Sequence, residues 1–229
     1  MPDAANNLSV SRVTRSKEQA RIGYNQMSRW YDFISGSSEK KYRDLGLQKL
    51  DAREGEQVLE IGYGTGHCIL TLAQAVGSSG SVCGMDISDG MRAISEARAR
   101  AAGLAERVDL RTGDAASLPF EMDRFDAVFM SFTLELFDTP EIPRVLAGCF
   151  QVLRPGGRIV VVSLAKKAGL AVDIYEWFHE RMPVSVDCRP ILAQDDLAAA
   201  GFEIRSVDSL TMWGLPVEII LAVKAEGAA

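Results

Sequence analysis

The middle of this chain alternates short apolar runs, bounded by turn residues, with longer segments in which apolar residues recur at helical spacing. This alternation predicts βαβ units on a parallel sheet with right-handed crossovers. In chain order, the predicted elements are strand 56–61, helix 66–76, strand 81–86, helix 89–102, strands 108–112 and 125–131, helix 140–153 and strand 158–164.

The two ends of the chain depart from this alternation. Residues 1–10 show no periodic pattern and predict a loose terminus, whereas residues 12–50 predict helices with a break near 35–38. After the alternating region, residues 170–182 predict a further helix. One stripe of that helix holds Tyr175, Phe178 and Met182.

The end of the chain predicts a hairpin. Residues 195–200 predict a short helix, and residues 202–210 and 216–223 predict two strands. The link between these strands, around Trp213, is so short that the strands must be antiparallel neighbours. The fold class predicted is therefore α/β, with a Rossmann-like seven-stranded sheet that is mostly parallel and ends in an antiparallel hairpin.

Length and composition fit one globular domain with appended segments. The 229 residues are 47% hydrophobic and 24% charged, and the net charge of −6 argues against a general nucleic-acid partner. Four cysteines without a C-x-x-C pair predict neither a disulfide framework nor a zinc site, and we expect no metal. Without a signal-peptide pattern or a bilayer-length apolar run, we expect a cytoplasmic enzyme.

The segment with the most chemical information is 58–66, Val-Leu-Glu-Ile-Gly-Tyr-Gly-Thr-Gly. A backbone that turns sharply and lets a ligand approach needs residues without a Cβ, and nucleotide-like ligands bind at this edge of an open α/β sheet. The acid Glu60, just before the turn, is placed to hold a cation such as a sulfonium or an ammonium. A dinucleotide motif fits less well, because its third glycine would fall at His67 and Glu60 would repel a pyrophosphate.

Further segments follow at spacings that suit one binding site. Asp86 ends the second strand, 20 residues after the last glycine, a spacing that suits the two hydroxyls of a ribose. Asp114 and Ala115 follow the third strand, where they can read the edge of an adenine. Ser131 closes the fourth strand, and residues 155–157 form a tight turn. Taken singly, each has an ordinary explanation as a helix cap or a turn.

Taken together with these segments, Glu60-Ile61-Gly62-Tyr63-Gly64-Thr65-Gly66 resembles the first motif of the class I S-adenosylmethionine (SAM) dependent methyltransferases. The likeness covers residues 56–164 and implies SAM as cofactor, with S-adenosylhomocysteine as product. The cofactor-binding residues that it implies are Glu60, Gly62, Tyr63, Gly64 and Gly66 at the glycine turn, Asp86 at the ribose, Ile87 and Met91 against the adenine, Asp114 and Ala115 at the adenine edge, and Ser131 near the sulfonium. Tyr63 departs from the Cys or small residue of many relatives, and we expect its side chain to leave the turn.

The resemblance also divides the chain, which is predicted to be a single methyltransferase domain over 1–229. Residues 1–54 would form an N-terminal helical lid, residues 55–165 the SAM-binding core, and residues 166–229 an acceptor-side insert with the terminal hairpin. The acceptor would be a small molecule, and the oligomeric state is not determined by the sequence.

A second resemblance concerns that acceptor. Residues 24–32 resemble the Tyr-x-x-x-(Ala/Ser)-x-x-Tyr-Asp helix of the ubiquinone and menaquinone C-methyltransferases and of the bacterial phosphatidylethanolamine N-methyltransferases. The likeness implies that Tyr24 and Tyr31 cover the SAM pocket, although both could instead be core contacts of a covering helix. Residues 11–43 hold eight Lys or Arg against three Asp or Glu, which suits either a peripheral contact with an anionic membrane or a solvated helix face.

The candidate catalytic residue is His179, four residues after Tyr175 and so on the same helix face. If that helix lines the acceptor pocket, the imidazole could take a proton from the acceptor; the alternative is a structural role. We therefore predict a methyltransferase whose first candidate acceptor is a quinone ring carbon. Phosphatidylethanolamine N-methylation, O- or N-methylation of a secondary metabolite and a non-catalytic SAM-binding regulator stay open.

Overall fold

A computed structural model describes residues 10–28, 38–181 and 187–227. The strands are β1 (Gln57–Ile61), β2 (Ser81–Asp86), β3 (Val108–Thr112), β4 (Phe125–Ser131), β5 (Leu153–Leu164), β6 (Glu203–Met212) and β7 (Leu215–Val223). The helices are α1 (Lys17–Met27), α2 (Lys40–Leu50), α3 (His67–Ala75), α4 (Asp89–Ala101), α5 (Ile142–Val152), α6 (Leu170–Arg181) and α7 (Ala193–Ala199), with 3-10 turns at Ala105–Arg107 and Leu134–Leu136.

The strands form one seven-stranded sheet in the order β3-β2-β1-β4-β5-β7-β6. Strands β1 to β5 run parallel to one another, whereas β7 runs antiparallel between β5 and β6. The predicted fold class is therefore confirmed. Because the chain leaves β1 towards β2 and later returns to place β4 on the other side of β1, a crevice is expected at the carboxyl ends of these strands.

The sheet is covered on both faces, which explains why its central strands read as nearly continuous apolar runs. Strand β4 is buried from Phe125 to Met130. On one face the core includes residues of α2, α3 and α4, among them Tyr42, Leu50, Ile69, Leu72 and Met91. On the other face it includes residues of α5 and α7, among them Ile142, Val145, Leu146, Cys149 and Leu197. Within the described ranges, no helix is both long and apolar enough to cross a membrane.

The N-terminal region differs from the helix predicted from residue 12. Residues 10–16 are not helical, and α1 begins only at Lys17. Ser16 and Gln19 form a capping box, in which the Ser16 hydroxyl accepts the Gln19 N–H at 3.2 Å and the Gln19 side chain accepts the Ser16 N–H at 2.9 Å. This reciprocal pair satisfies free N–H groups at the helix start and so fixes where the helix begins. The predicted break near 35–38 falls almost wholly outside the described residues.

Two further predictions can be compared with the structure. The predicted stripe of α6 is not buried throughout, because Phe178 is 41% exposed, whereas Val172 and His179 of the same helix are buried. Met182, the third residue of the predicted stripe, lies outside the described residues. The turn predicted at 155–157 is a bulge inside β5, because Leu153 already pairs with Phe125 before the register shifts to Arg158 opposite Ala127.

Candidate functional site

A cavity of about 970 Å³, counted out to the open solvent at its mouth, lies at the carboxyl ends of β1, β2 and β4 and beside the loop after β3. The segment 10–16, here called the strap, and helix α1 also contribute to its wall. The predicted cofactor-binding residues that line it are Gly62, Gly64, Asp86, Ile87, Met91, Asp114, Ala115, Ser131 and Tyr24.

The three glycines of the turn are needed for different reasons. Each has a positive φ, which L side chains rarely adopt. A Cβ on Gly62 would lie 2.3 Å from Thr133 Oγ1, and one on Gly66 would lie 2.1 Å from Ser95 Oγ, so both glycines allow close packing within the protein. A Cβ on Gly64 would meet nothing within 4 Å. Gly64 is therefore the glycine that keeps space open at the cavity wall.

Asp86 joins the glycine turn to the end of β2. Its Oδ2 accepts the Gly64 N–H at 2.9 Å, and its Oδ1 accepts the Ser88 N–H at 2.9 Å. Burial raises the pKa of Asp86, and these backbone hydrogen bonds oppose the shift. A carboxylate offers about four acceptor positions, so Asp86 keeps acceptor capacity for a ribose hydroxyl.

Asp114, after β3, contacts Lys17, the first residue of α1. Its Oδ1 accepts the Ala116 N–H at 2.9 Å, and its Oδ2 lies 2.5 Å from Lys17 Nζ. The same ammonium contacts Glu141, next to α5. Lys17 therefore joins both sides of the cavity mouth.

Other basic residues near the N-terminus are also paired with acids. Arg12 donates from Nε to Asp138 Oδ1 at 2.8 Å, and this contact holds the pKa of Asp138 at about 2. Arg21 donates to Glu18 and to Asp89, at the start of α4. These pairs connect basic residues of the N-terminal segment to Asp138 and Asp89, a role that neither of the two sequence interpretations anticipated.

Glu60 does not line the cavity. It is 2% exposed, and the Cys68 thiol donates a hydrogen bond to it. Burial raises the pKa of Glu60 to about 8, although that hydrogen bond and the charge of Arg43 oppose the shift. The carboxyl group lies behind the cavity lining, and the cation-holding role expected of Glu60 stays a prediction.

Tyr63 and Gly66 also lie outside the cavity lining. The Tyr63 ring is 3% exposed and points towards Gly84, and its hydroxyl donates to the Arg111 carbonyl at 3.3 Å. Its side chain leaves the turn, and Gly66 faces Ser95 instead of the cavity. Tyr31 lies outside the described residues.

Tyr24 and His179, the candidate residues on helices α1 and α6, have different surroundings. Tyr24 of α1 lines the cavity, and its hydroxyl donates to Asp187 Oδ2 at 2.5 Å. His179 of α6 is 3% exposed and is not part of the cavity wall. The condition attached to His179, that its helix lines the acceptor pocket, is therefore not met by this cavity.

Several residues that line the cavity were not predicted from the sequence. They are Val13, Arg15, Lys17, Thr133, Leu136, Phe137, Asp138 and Glu141. The capping box at Ser16 was a readable signal that the strap ends there. No local pattern indicated that the strap would cross the sheet edge, because its partners are distant in sequence: Asp114 is 97 residues from Lys17.

The sheet order, the glycine turn after β1 and the acids after β2 and β3 are together those of a class I SAM-dependent methyltransferase. Comparison with known proteins agrees: the family described as "Methyltransferase domain" matches residues 58–157. The chain is 33% identical over 178 residues to a demethylmenaquinone methyltransferase of Bacillus velezensis, covering 75% of each protein. It is 33% identical over 133 residues to a 2-phytyl-1,4-naphtoquinone methyltransferase of Synechococcus elongatus, covering 58% of this chain and 56% of that protein. The chain belongs to the SAM-dependent methyltransferase family and is similar to its quinone-methylating members.

Solved structures share the fold. The [4+2]-cyclase SpnF superposes with a TM-score of 0.74 at 22% identity, covering 93% of this chain and 98% of that chain. A SAM-dependent methyltransferase from Aquifex aeolicus gives a TM-score of 0.66 at 18% identity, covering 88% and 98%. At such low identity these likenesses establish the fold and not the reaction.

Proposed function

We propose that this methyltransferase binds SAM in the cavity beside Gly64 and transfers its methyl group to a quinone ring carbon. The observation that carries the cofactor part is the meeting of Gly64, Asp86 and Asp114 in one cavity at the sheet edge. Asp86 has acceptor positions left for a ribose, and Gly64 leaves space beside it.

SAM supplies a methyl group on a sulfonium, which is already an activated leaving group. The protein's part is to hold cofactor and acceptor in line and to exclude water. Orientation of this kind can contribute roughly 7–11 kcal/mol of barrier reduction. The strap and α1 are suited to the task, because Lys17 and Tyr24 both tie them across the cavity to distant acids.

The quinone part of the proposal is supported by the similar proteins, which include methyltransferases named for demethylmenaquinone and for 2-phytyl-1,4-naphtoquinone. Tyr24, from the helix that resembles the quinone-methylating group, lines the cavity. The phosphatidylethanolamine, secondary-metabolite and regulator alternatives become outcomes of the same assay.

That assay incubates purified protein and methyl-labelled SAM with demethylated quinones in reduced form, or with phosphatidylethanolamine vesicles. Label in the quinone supports the proposal, whereas label in the lipid alone would favour N-methylation of phosphatidylethanolamine. Binding of S-adenosylhomocysteine without any transfer would favour a regulator. Asp86→Asn should lose transfer, and Asp109→Asn is the matched control, because Asp109 pairs with Arg111 on the exposed side of β3.

Peripheral contact with a lipid surface is part of this proposal. Exposed apolar side chains, rather than the basic segment, now support it. Helix α6 and the β6–β7 turn expose large apolar side chains, which are those of Leu170, Ile174, Trp177, Phe178 and Trp213. Exposed aromatic and aliphatic groups of this kind suit the interface of a bilayer that holds a lipid quinone. The cytoplasmic location likewise stays a prediction.

Flotation with neutral phosphatidylcholine vesicles tests the contact. The Trp177→Ser/Trp213→Ser variant should float less than the wild type. Met122→Ser is the control, because Met122 is 71% exposed but belongs to the loop before β4. Equal flotation of all three proteins would remove the membrane contact from the proposal.

A further inference from the structure

Arg15, in the strap, is a buried cation in the cavity wall. Only 8% of its side chain is exposed, and its guanidinium carbon lies 5.0 Å from the centroid of the Tyr24 ring. Nη2 is 3.6 Å from Asp187 Oδ2, which is an ion-pair distance longer than a hydrogen bond. Nη1 is buried and donates no hydrogen bond within the described part of the chain. A buried donor without an acceptor is costly and rare, so it suggests a missing ligand.

The position of Arg15 along the cavity follows from its neighbours in the strap. Lys17 holds Asp114 at the end expected for the adenine. Arg15, two residues earlier, lies instead beside Tyr24 and Asp187.

Arg15 shares the cavity wall with the glycine turn and with the segment after β4. Gly62, Gly64 and Thr133 line the same cavity as Arg15. A Cβ on Gly62 would lie against Thr133, so the turn and that segment are in contact. The resemblance puts the methionine end of the cofactor at these glycines.

Charge complementarity identifies the group that Arg15 would bind. SAM carries a sulfonium, an ammonium and a single carboxylate. Among the described residues, the acids of the cavity wall are Asp86, Asp114, Asp138 and Glu141, and its Lys or Arg residues are Arg15 and Lys17. Lys17 is already held between two carboxylates. Arg15 is the cation with a free donor, and a guanidinium–carboxylate contact is among the strong hydrogen bonds.

We propose that Arg15 binds the carboxylate of the methionine moiety of SAM and so positions the sulfonium along the cavity. The inference rests on the proposed function, because it assumes SAM as the ligand. A second source of the same chemistry is an anionic oxygen of the acceptor, and the experiment below separates the two.

The test is isothermal titration of the whole protein with two ligands, S-adenosylhomocysteine and 5′-methylthioadenosine, which has the nucleoside but lacks the amino-acid portion. Arg15→Gln should weaken S-adenosylhomocysteine binding roughly 10- to 100-fold, as expected for a charged hydrogen bond, and change 5′-methylthioadenosine binding less than about twofold. Arg15→Lys should restore part of the loss. Arg21→Gln is the control, because Arg21 is exposed on α1 and is not part of the cavity wall.

The other outcomes each overturn the inference. An equal loss for both ligands would mean that Arg15 only supports the fold of the cavity. Unchanged S-adenosylhomocysteine affinity, with a raised KM for the acceptor, would assign the guanidinium to the acceptor. If the wild-type protein bound neither adenosyl ligand, the proposed function itself would fail, and the inference with it.

Discussion

The carboxylate of Asp86 accepts the Gly64 amide N–H at 2.9 Å, so the acid expected at the ribose also fixes the glycine turn. The two residues come from the ends of neighbouring parallel strands, β1 and β2. In the proposed function, binding of the nucleoside and the shape of the turn therefore depend on one side chain. This coupling determines what substitutions at Asp86 can reveal.

Replacing Asp86 with Ala should weaken S-adenosylhomocysteine binding and lower the stability of the protein together. Loss of hydrogen bonds to a charged group is worth about 1.5–3 kcal/mol in binding, and the freed N–H groups of Gly64 and Ser88 add a further cost in folding. Titration calorimetry and urea denaturation measure the two effects. Asp109→Ala is the control, and wild-type affinity in Asp86→Ala would mean that the ribose assignment is wrong.

Two glycine substitutions should separate packing from ligand access. Gly62→Ala should cost about 3–5 kcal/mol of stability, since its methyl group would meet Thr133 at 2.3 Å in addition to the strain of a positive φ. Gly64→Ala should cost only about 1–2 kcal/mol, from the strain alone, because no protein atom lies within 4 Å.

The two substitutions should affect ligand binding in the opposite order to their effects on stability. Gly64→Ala should fold and yet bind S-adenosylhomocysteine more weakly, because its methyl group would occupy space at the cavity wall. Urea denaturation and calorimetry on both variants provide the comparison. A Gly64→Ala protein with wild-type affinity would show that no ligand approaches the turn at this point.

Glu135 should make the protein less stable as the pH rises. It is fully buried, its Oε1 accepts the Leu164 N–H at 3.2 Å, and Oε2 has no partner among the residues that the structure describes. Burial raises its pKa from 4.5 to about 8. The folded state therefore binds the extra proton between these values, so stability is fully present below pH 4.5 and falls as the pH rises to about 8.

Glu135→Gln keeps an acceptor for Leu164 and removes the titration. At pH 8 the variant should be more stable than the wild type by on the order of 3 kcal/mol, and the difference should shrink towards pH 4.5. Urea denaturation across this pH range measures it. Glu106→Gln, at an exposed site, is the control. An unchanged pH dependence in Glu135→Gln would contradict the raised pKa.

Lys17 should control the opening of the strap more than the stability of the fold. Its pairs with Asp114 and Glu141 are partly exposed, so Lys17→Ala should lower the free energy of unfolding by less than about 1 kcal/mol. Hydrogen exchange in α1 should nevertheless become faster, because the helix loses its link across the cavity mouth. Arg92→Ala, which removes a pair within α4, should leave exchange in α1 unchanged.

The sequence determined the part of this protein that depends on local periodicity and short motifs. The alternation of strands and helices, the glycine turn, Asp86 and Asp114 all lie within one βαβ succession, where a parallel sheet brings consecutive strand ends to the same edge. For that reason the fold and several of the residues that line the cavity could be named without coordinates.

Only the tertiary structure decided which side of the sheet each side chain faces and what covers the edge. Glu60, in β1, and Tyr63, in the turn after it, belong to the predicted motif, yet both are buried and neither lines the cavity, because spacing along the chain does not show which way a side chain points. Arg15 and Lys17 reach the site through contacts with Asp187 and Asp114, far away in sequence. Pairings of that kind arise from the packing of whole elements, and no local pattern encodes them.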